Sequence, residues 1–175
     1  DAAWVQTRFG SCLLTADLLI EGVHFDFKWT SLYALGYKTL AVNMSDIAAM
    51  GGTPAYLLLS LGIPAAFESD DVGEFYRGIR SLALKSGVAL VGGDTSVAKS
   101  LFISACLVGQ VPCRPITRSG AQTGDDIYVT GTLGDSALGL KLLKQKSPKL
   151  TQRAAKFLLS RHHFPTARVR AGATL

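Results

Sequence analysis

The chain has 175 residues, of which 48% are hydrophobic and 18% charged, with a net charge of +5. This composition argues against a disordered polymer, and the length allows one large domain, or one domain plus part of a second, with a real core. The basic excess does not read as a nucleic-acid interface. Its Lys and Arg residues are scattered over 114–170, mostly on a helix-like stretch without interleaved aromatics, as on a solvated helix face or a surface for small anions.

Residues 11–20, SCLLTADLLI, form a short apolar run that predicts a buried strand. Ser31 can cap a helix that begins with Leu32 and Leu35 and runs to about Met50, where Gly51-Gly52-Thr53-Pro54 ends it. Tyr56 to Ile63 predicts a second apolar strand, stopped by Pro64. Ser69-Asp70-Asp71 starts another helix, with Asp71 and Glu74 as its capping box. Val72, Phe75, Ile79 and Leu82 recur at helical spacing and predict one buried face, and Gly87 closes the helix. Val88 to Val91 predicts a strand that runs into a glycine-rich turn, Gly92-Gly93-Asp94-Thr95-Ser96, and Leu101 to Val111 predicts a long strand ended by Pro112.

The order over 1–112 is therefore strand, helix, strand, helix, strand, strand. It predicts an α/β or α+β domain, a mixed sheet with helices on one face. Two prolines and two glycines from 112 onward predict a linker over 113–124. Ile127 to Thr130 begins a new strand, Gly131 to Asp135 turns into a helix over Ser136 to Lys144, and a second helix spans Thr151 to His162. Residues 125–175 are then the start of a second α+β domain. The missing initial Met and the abrupt ends at Asp1 and Leu175 mark the chain as an excerpt.

Cys12, Cys106 and Cys113 are odd in number and fall at no metal-ligand spacing. Cys12 and Cys106 lie in apolar runs and read as small core residues, which suits a reducing cytosol. No signal peptide is visible and no apolar run reaches the roughly 18 residues of a membrane span, so the expectation is a cytoplasmic protein.

Four acids stand out: Asp1 at the start, Asp17 inside an apolar strand, Asp46 inside an apolar helix, and Asp94 after a strand and two glycines. An unpaired carboxylate in apolar surroundings is costly, so several of them suggest one shared cation; the plainer alternative makes each a helix cap or turn residue. Hard oxygen donors without Cys or His point to Mg²⁺ rather than zinc. The turn at Gly92 to Ser96 suits a close approach of backbone N–H groups to phosphate, although neither a Walker P-loop nor a dinucleotide fingerprint is present. His24 is either structural or a ligand contact, and Tyr76, one position beyond its helix's apolar stripe, either packs or touches a ligand. Arg118 is either a phosphate clamp or a surface loop residue. His162 and His163 read as an exposed helix end. No Ser–His–Asp or Cys–His arrangement is suggested, which disfavours a nucleophilic hydrolase.

Asp17-Leu18-Leu19-Ile20-Glu21-Gly22-Val23-His24-Phe25 resembles the D-x-L-V-E-G-V-H-F signature of the thiamine-monophosphate kinase family. The run from Gly36 to Gly52, which contains Lys38-Thr39-Leu40-Ala41-Val42-Asn43-Met44-Ser45-Asp46-Ile47-Ala48-Ala49-Met50, is similar to G-x-K-A-L-A-V-N-L-S-D-I-A-A-M-G-G of the same family. Gly92 to Ser96, Arg118-Ser119-Gly120-Ala121, Gly124 to Gly134 and Phe164-Pro165-Thr166-Ala167-Arg168 continue the match in order. The resemblance implies the N-terminal domain of the aminoimidazole ribonucleotide synthetase-like fold, pairing across a homodimer. It also implies ATP-dependent phosphorylation of thiamine monophosphate to thiamine diphosphate, with several Mg²⁺ ions and in-line transfer. The partners are then ATP and thiamine monophosphate, with no nucleic acid and no membrane.

By the same resemblance Asp1, Thr15, Asp17, Asp46 and Asp94 match metal-ligand positions, Tyr76, Gly93, Asp94 and Arg118 match nucleotide contacts, and His24 matches a substrate contact. No residue is expected to act as a general base. The alternatives are another ATP-using relative, similar to aminoimidazole ribonucleotide or selenophosphate synthetase, or a non-catalytic nucleotide binder. The sequence departs from the family at Ala16, where Ser or Thr is usual and a metal-side oxygen is lost. It also lacks the family's later S-D-G-L-type motif.

Overall fold

The structure is a computed structural model and describes residues 2–8, 10–111, 114–144 and 150–174. Strands β1 (Ala3–Thr7), β2 (Gly10–Ile20), β3 (Thr53–Pro64), β4 (Ala89–Ala98) and β5 (Phe102–Gln110) form one five-stranded sheet in the order β1-β2-β5-β3-β4. All neighbours are antiparallel except β3 and β4, so the sheet is mixed. Helices α1 (Leu32–Ala49) and α2 (Ser69–Ser86) provide the long crossovers between strands that run the same way.

Helix α1 begins where Ser31 accepts a hydrogen bond from the Ala34 N–H at 3.2 Å. It is apolar on more than one side because it packs on both the sheet and α2, so Leu35, Leu40, Met44 and Ile47 are all buried. Helices α1 and α2 meet at two glycines. A Cβ at Gly36 would fall on the Phe75 carbonyl oxygen, and one at Gly78 on that of Tyr33. In α2 the capping box differs from the sequence reading. Glu68 is the N-cap and pairs reciprocally with Asp71, while Glu74 sits one turn later and binds Arg77 instead. A cap must lie one residue before the first helical position, and Ser69 already belongs to the helix.

The core lies between the helices and one face of the sheet, where Leu13, Leu57, Ile103 and Leu107 are fully buried. The opposite face is uncovered: Leu18, Tyr56, Leu58 and Phe102 are all substantially exposed. Cys12 and Cys106 are half-buried rather than core residues, because Cys106 shares its cross-strand rows with exposed Ala16 and Leu58. Cys113 lies outside the described residues.

The glycine-rich segment 92–96 is not a turn. It continues β4, and parallel pairing with β3 carries the ladder through Gly93, Asp94 and Thr95 after a register shift at Leu57/Leu58. Beyond β5 the chain is irregular over 114–134, with part of the expected linker, from 113, outside the described residues. The strand expected at Ile127 to Thr130 is absent and Ile127 is 95% exposed, since a strand needs a lateral partner and none of the described residues supplies one there. Helices α3 (Asp135–Lys144) and α4 (Gln152–His163) form a hairpin whose end, at Phe164, packs on Tyr33 and Tyr37 of α1. A short helix not read from the sequence, α5 (Val169–Thr174), follows on the C-terminal part of α1.

His162 is not an exposed helix end. It is 8% exposed, with Nδ1 at 3.2 Å from both the carbonyl oxygen and Oγ of Ser136.

Candidate functional site

Strand alternation places Leu13, Thr15, Asp17 and Leu19 of β2 on the face covered by helices. Helix α1 passes over that face, and the Thr15 hydroxyl donates to Oδ2 of Asp46 at 2.8 Å. Asp17 lies two residues further along the strand. Its carboxyl pKa is raised, first by burial and then by the nearby charge of Asp46, and is partly pulled back by His24. Two carboxylates that repel each other in a half-buried place form a site that wants a cation.

Those donors suit Mg²⁺, which is commonly held by one or two carboxylates together with substrate phosphates rather than by an all-protein cage. Asp1 lies outside the described residues. Among the described residues no three His, Cys, Asp or Glu side chains stand close enough to hold one metal ion. Asp94 therefore does not join Asp17 and Asp46 around a single cation. Register gives the reason: Asp17 pairs with Ala105, Ala105 with Leu59 and Leu59 with Gly93. That row spans three strand spacings, about 14 Å. The expectation of one shared cation is thus replaced by two separate carboxylate positions, the Asp17–Asp46 pair and Asp94. Ala16 is exposed, and alternation turns it away from the face of Thr15 and Asp17, so a hydroxyl there would not have joined them.

Of its two readings, His24 displays the structural one. Its Nδ1 accepts the Ile20 N–H at 3.1 Å, which fixes the ring and leaves Nε2 as the outward position. Its charge is felt by Asp17, so it stands on the same side of the molecule.

At the other end of the row, Leu59, Tyr76, Leu90, Gly93, Asp94 and Thr95 line an open cleft of about 480 Å³. Gly93 is required there by close approach. Its φ is +152°, and a Cβ would collide with the backbone of Leu59. Asp94 is exposed, and its Oδ1 accepts the Thr95 N–H at 2.8 Å. Tyr76 packs edge-on against Phe75 and has its phenol pKa raised by burial. Tyr76 and Leu90 also line an adjoining, more apolar cavity of about 500 Å³ with Ile79, Arg80, Leu84 and Val88. Arg118 lies exposed in the irregular segment after β5. The apolar cavity, with Arg80 in its lining, was not read from the sequence; Tyr76 and Arg80, four residues apart on one helix face, were the available signal.

Comparison with known proteins points one way. The family described as AIR synthase related protein, N-terminal domain, matches residues 1–111. Thiamine-monophosphate kinase of Bacillus subtilis is 36% identical over 98% of this chain and 54% of its own length. That of Aquifex aeolicus is 39% identical over 97% of this chain and 54% of its own. The chain thus spans about half the length of these curated relatives. The solved structure of AaThiL complexed with AMPPCP and TMP superposes with a TM-score of 0.90 at 38% identity, over 99% of this chain and 55% of that one.

Proposed function

Since the chain belongs to the family of AIR synthase related proteins through its N-terminal domain, at residues 1–111, we propose that the complete protein phosphorylates thiamine monophosphate with ATP. The observation that carries this reading is the similarity of nearly all of this chain to about half the length of thiamine-monophosphate kinases, joined to a paired carboxylate site at Asp17 and Asp46.

Residues Asp17 and Asp46, with Thr15 orienting Asp46, would hold one Mg²⁺ and Asp94 another. Bound there, Mg²⁺ supplies charge neutralisation for the polyphosphate. The chain's own groups do the rest. Gly93 lets the phosphates approach the β4 backbone, Tyr76 and the apolar cavity beside it take the base, and Arg118 meets phosphate. His24 presents Nε2 to the substrate. The acceptor is a phosphate oxygen that is already anionic, so in-line transfer to it needs no general base. The uncovered sheet face is the surface on which a second copy would sit. The free thiols Cys12 and Cys106 suit a reducing, cytoplasmic setting. No helix among the described residues is long and apolar enough to cross a membrane.

A coupled assay of ADP release on the complete protein tests this reading, with thiamine monophosphate, thiamine and an aminoimidazole ribonucleotide precursor as acceptors. The expected result is Mg²⁺-dependent ADP release with thiamine monophosphate alone. Release with another acceptor only, or none with any, would overturn it.

A further inference from the structure

Three of the chain's basic residues line a cleft the proposed reaction does not use. Residues 151–175 contain Arg153, Lys156, Arg161, Arg168 and Arg170 and no Asp or Glu. Arg168 and Arg170, together with Lys85 from the end of α2, line a cleft of about 550 Å³ between α1, α2, the start of β3 and α5. No acidic residue lines it. Among the described residues none of the three cations forms an ion pair. The remaining walls supply the hydroxyl of Thr166 and apolar surface from Met44 and Val169, while the Ser86 hydroxyl donates to the Leu82 carbonyl of its own helix. The cleft shares no lining residue with the one around Asp94. It opens at Thr53 and Pro54, the first residues of β3, whereas Asp94 pairs with Ser60 further along that strand.

We propose that this cleft is a second binding site, for a small organic phosphate. Three like charges without a carboxylate call for a multiply charged oxyanion, which Arg and Lys hold by charge-assisted hydrogen bonds. The volume is that of a small-molecule site and exceeds the needs of a bare ion, and the Met44 and Val169 wall favours an apolar body behind the phosphate. The chemistry differs from that of the carboxylate site in one decisive respect. Acids repel an anion until a divalent cation is bound, whereas this cleft needs no metal.

The site stands independently of the kinase reading, and the experiment separates the two by removing metal. Phenyl phosphate and inorganic phosphate are titrated calorimetrically into the full protein in EDTA at low ionic strength. Phenyl phosphate is expected to bind about ten-fold tighter than inorganic phosphate, because its ring adds buried apolar area. Lys85→Gln/Arg170→Gln, two exposed positions, is expected to weaken it about ten-fold or more with an unchanged far-UV spectrum. If the double variant does not fold, Lys85→Gln alone is expected to weaken binding by about three-fold or more. Absence of phenyl phosphate binding in EDTA, equal binding of the two probes, or binding undiminished in a folded variant would each overturn the proposal.

Discussion

At the residue scale the candidate chemistry rests on a hydroxyl and two carboxylates. Thr15 points the Asp46 carboxylate, and burial first, then Asp46, raises the pKa of Asp17. Asp46→Asn keeps the size of the side chain and its ability to accept from Thr15 but removes the charge. In the complete protein kcat is expected to fall by about 100-fold or more, the scale of losing one electrostatic anchor, while the circular dichroism spectrum stays unchanged. Undiminished ADP release from this variant would remove the metal-anchoring role. These acids were legible in the sequence because a carboxylate inside an apolar strand or helix is conspicuous. His162 was not, because its setting is made by α3, which lies elsewhere in the sequence; its signal was Leu158, four residues earlier on the same buried face.

Burial first, then Lys38 of α1, His163 and Lys144 of α3, lower the His162 pKa from 6.5 to about 4, against the opposing hydrogen bond to Ser136. Arg161 is beside it in sequence but faces Asp135. The unfolded chain therefore takes up a proton on His162 at a pH where the folded chain does not. Its neutral form stabilises the fold above about pH 6.5, and that contribution is lost as pH falls from 6.5 toward 4. Urea midpoints measured across this window should drop with acid in the wild type. The drop should be smaller in His162→Gln; an identical pH profile in the variant would contradict the assignment.

At the element scale, the crossing of α1 over α2 is set by Gly36 and Gly78, each too close to the other helix's backbone for a methyl group. Alanine is the better helix former by about 1 kcal/mol, yet overpacking against backbone costs about 1–3 kcal/mol. With a collision as direct as that between Gly78 and Tyr33, the second effect wins. Gly78→Ala is expected to lower stability by about 2 kcal/mol in urea denaturation, and a more stable variant would show that the helices can separate freely. Both helices and the long strands were readable because their apolar periodicity and caps are local. The continuation of β4 through Gly92 and Gly93 was not, because the ladder that keeps it extended comes from β3 across a bulge. Ile127 to Thr130 failed in the opposite sense: a strand-like composition finds no partner among the described residues.

At the scale of the whole molecule the sheet is covered on one side only. The helices-on-one-face architecture followed from the alternation of long helices with apolar strands. The strands' outward residues showed what that architecture left open. Leu18 and Leu58 are 49% and 41% exposed, beside Tyr56 and Phe102. An apolar face of this kind suits the proposed association. Sedimentation of the full protein is expected to give a dimer, and Leu58→Asp, at a partly exposed position on this face, is expected to give a monomer. A wild-type monomer at all loadings would sink the proposed pairing.

With the half-covered sheet paired as proposed, the melting behaviour of this protein would not be a property of one chain. When association supplies the missing layer, mass action links folding to loading, and the thermal midpoint climbs with protein concentration. Calorimetric scans over a hundred-fold dilution series would then read the strength of the subunit contact directly.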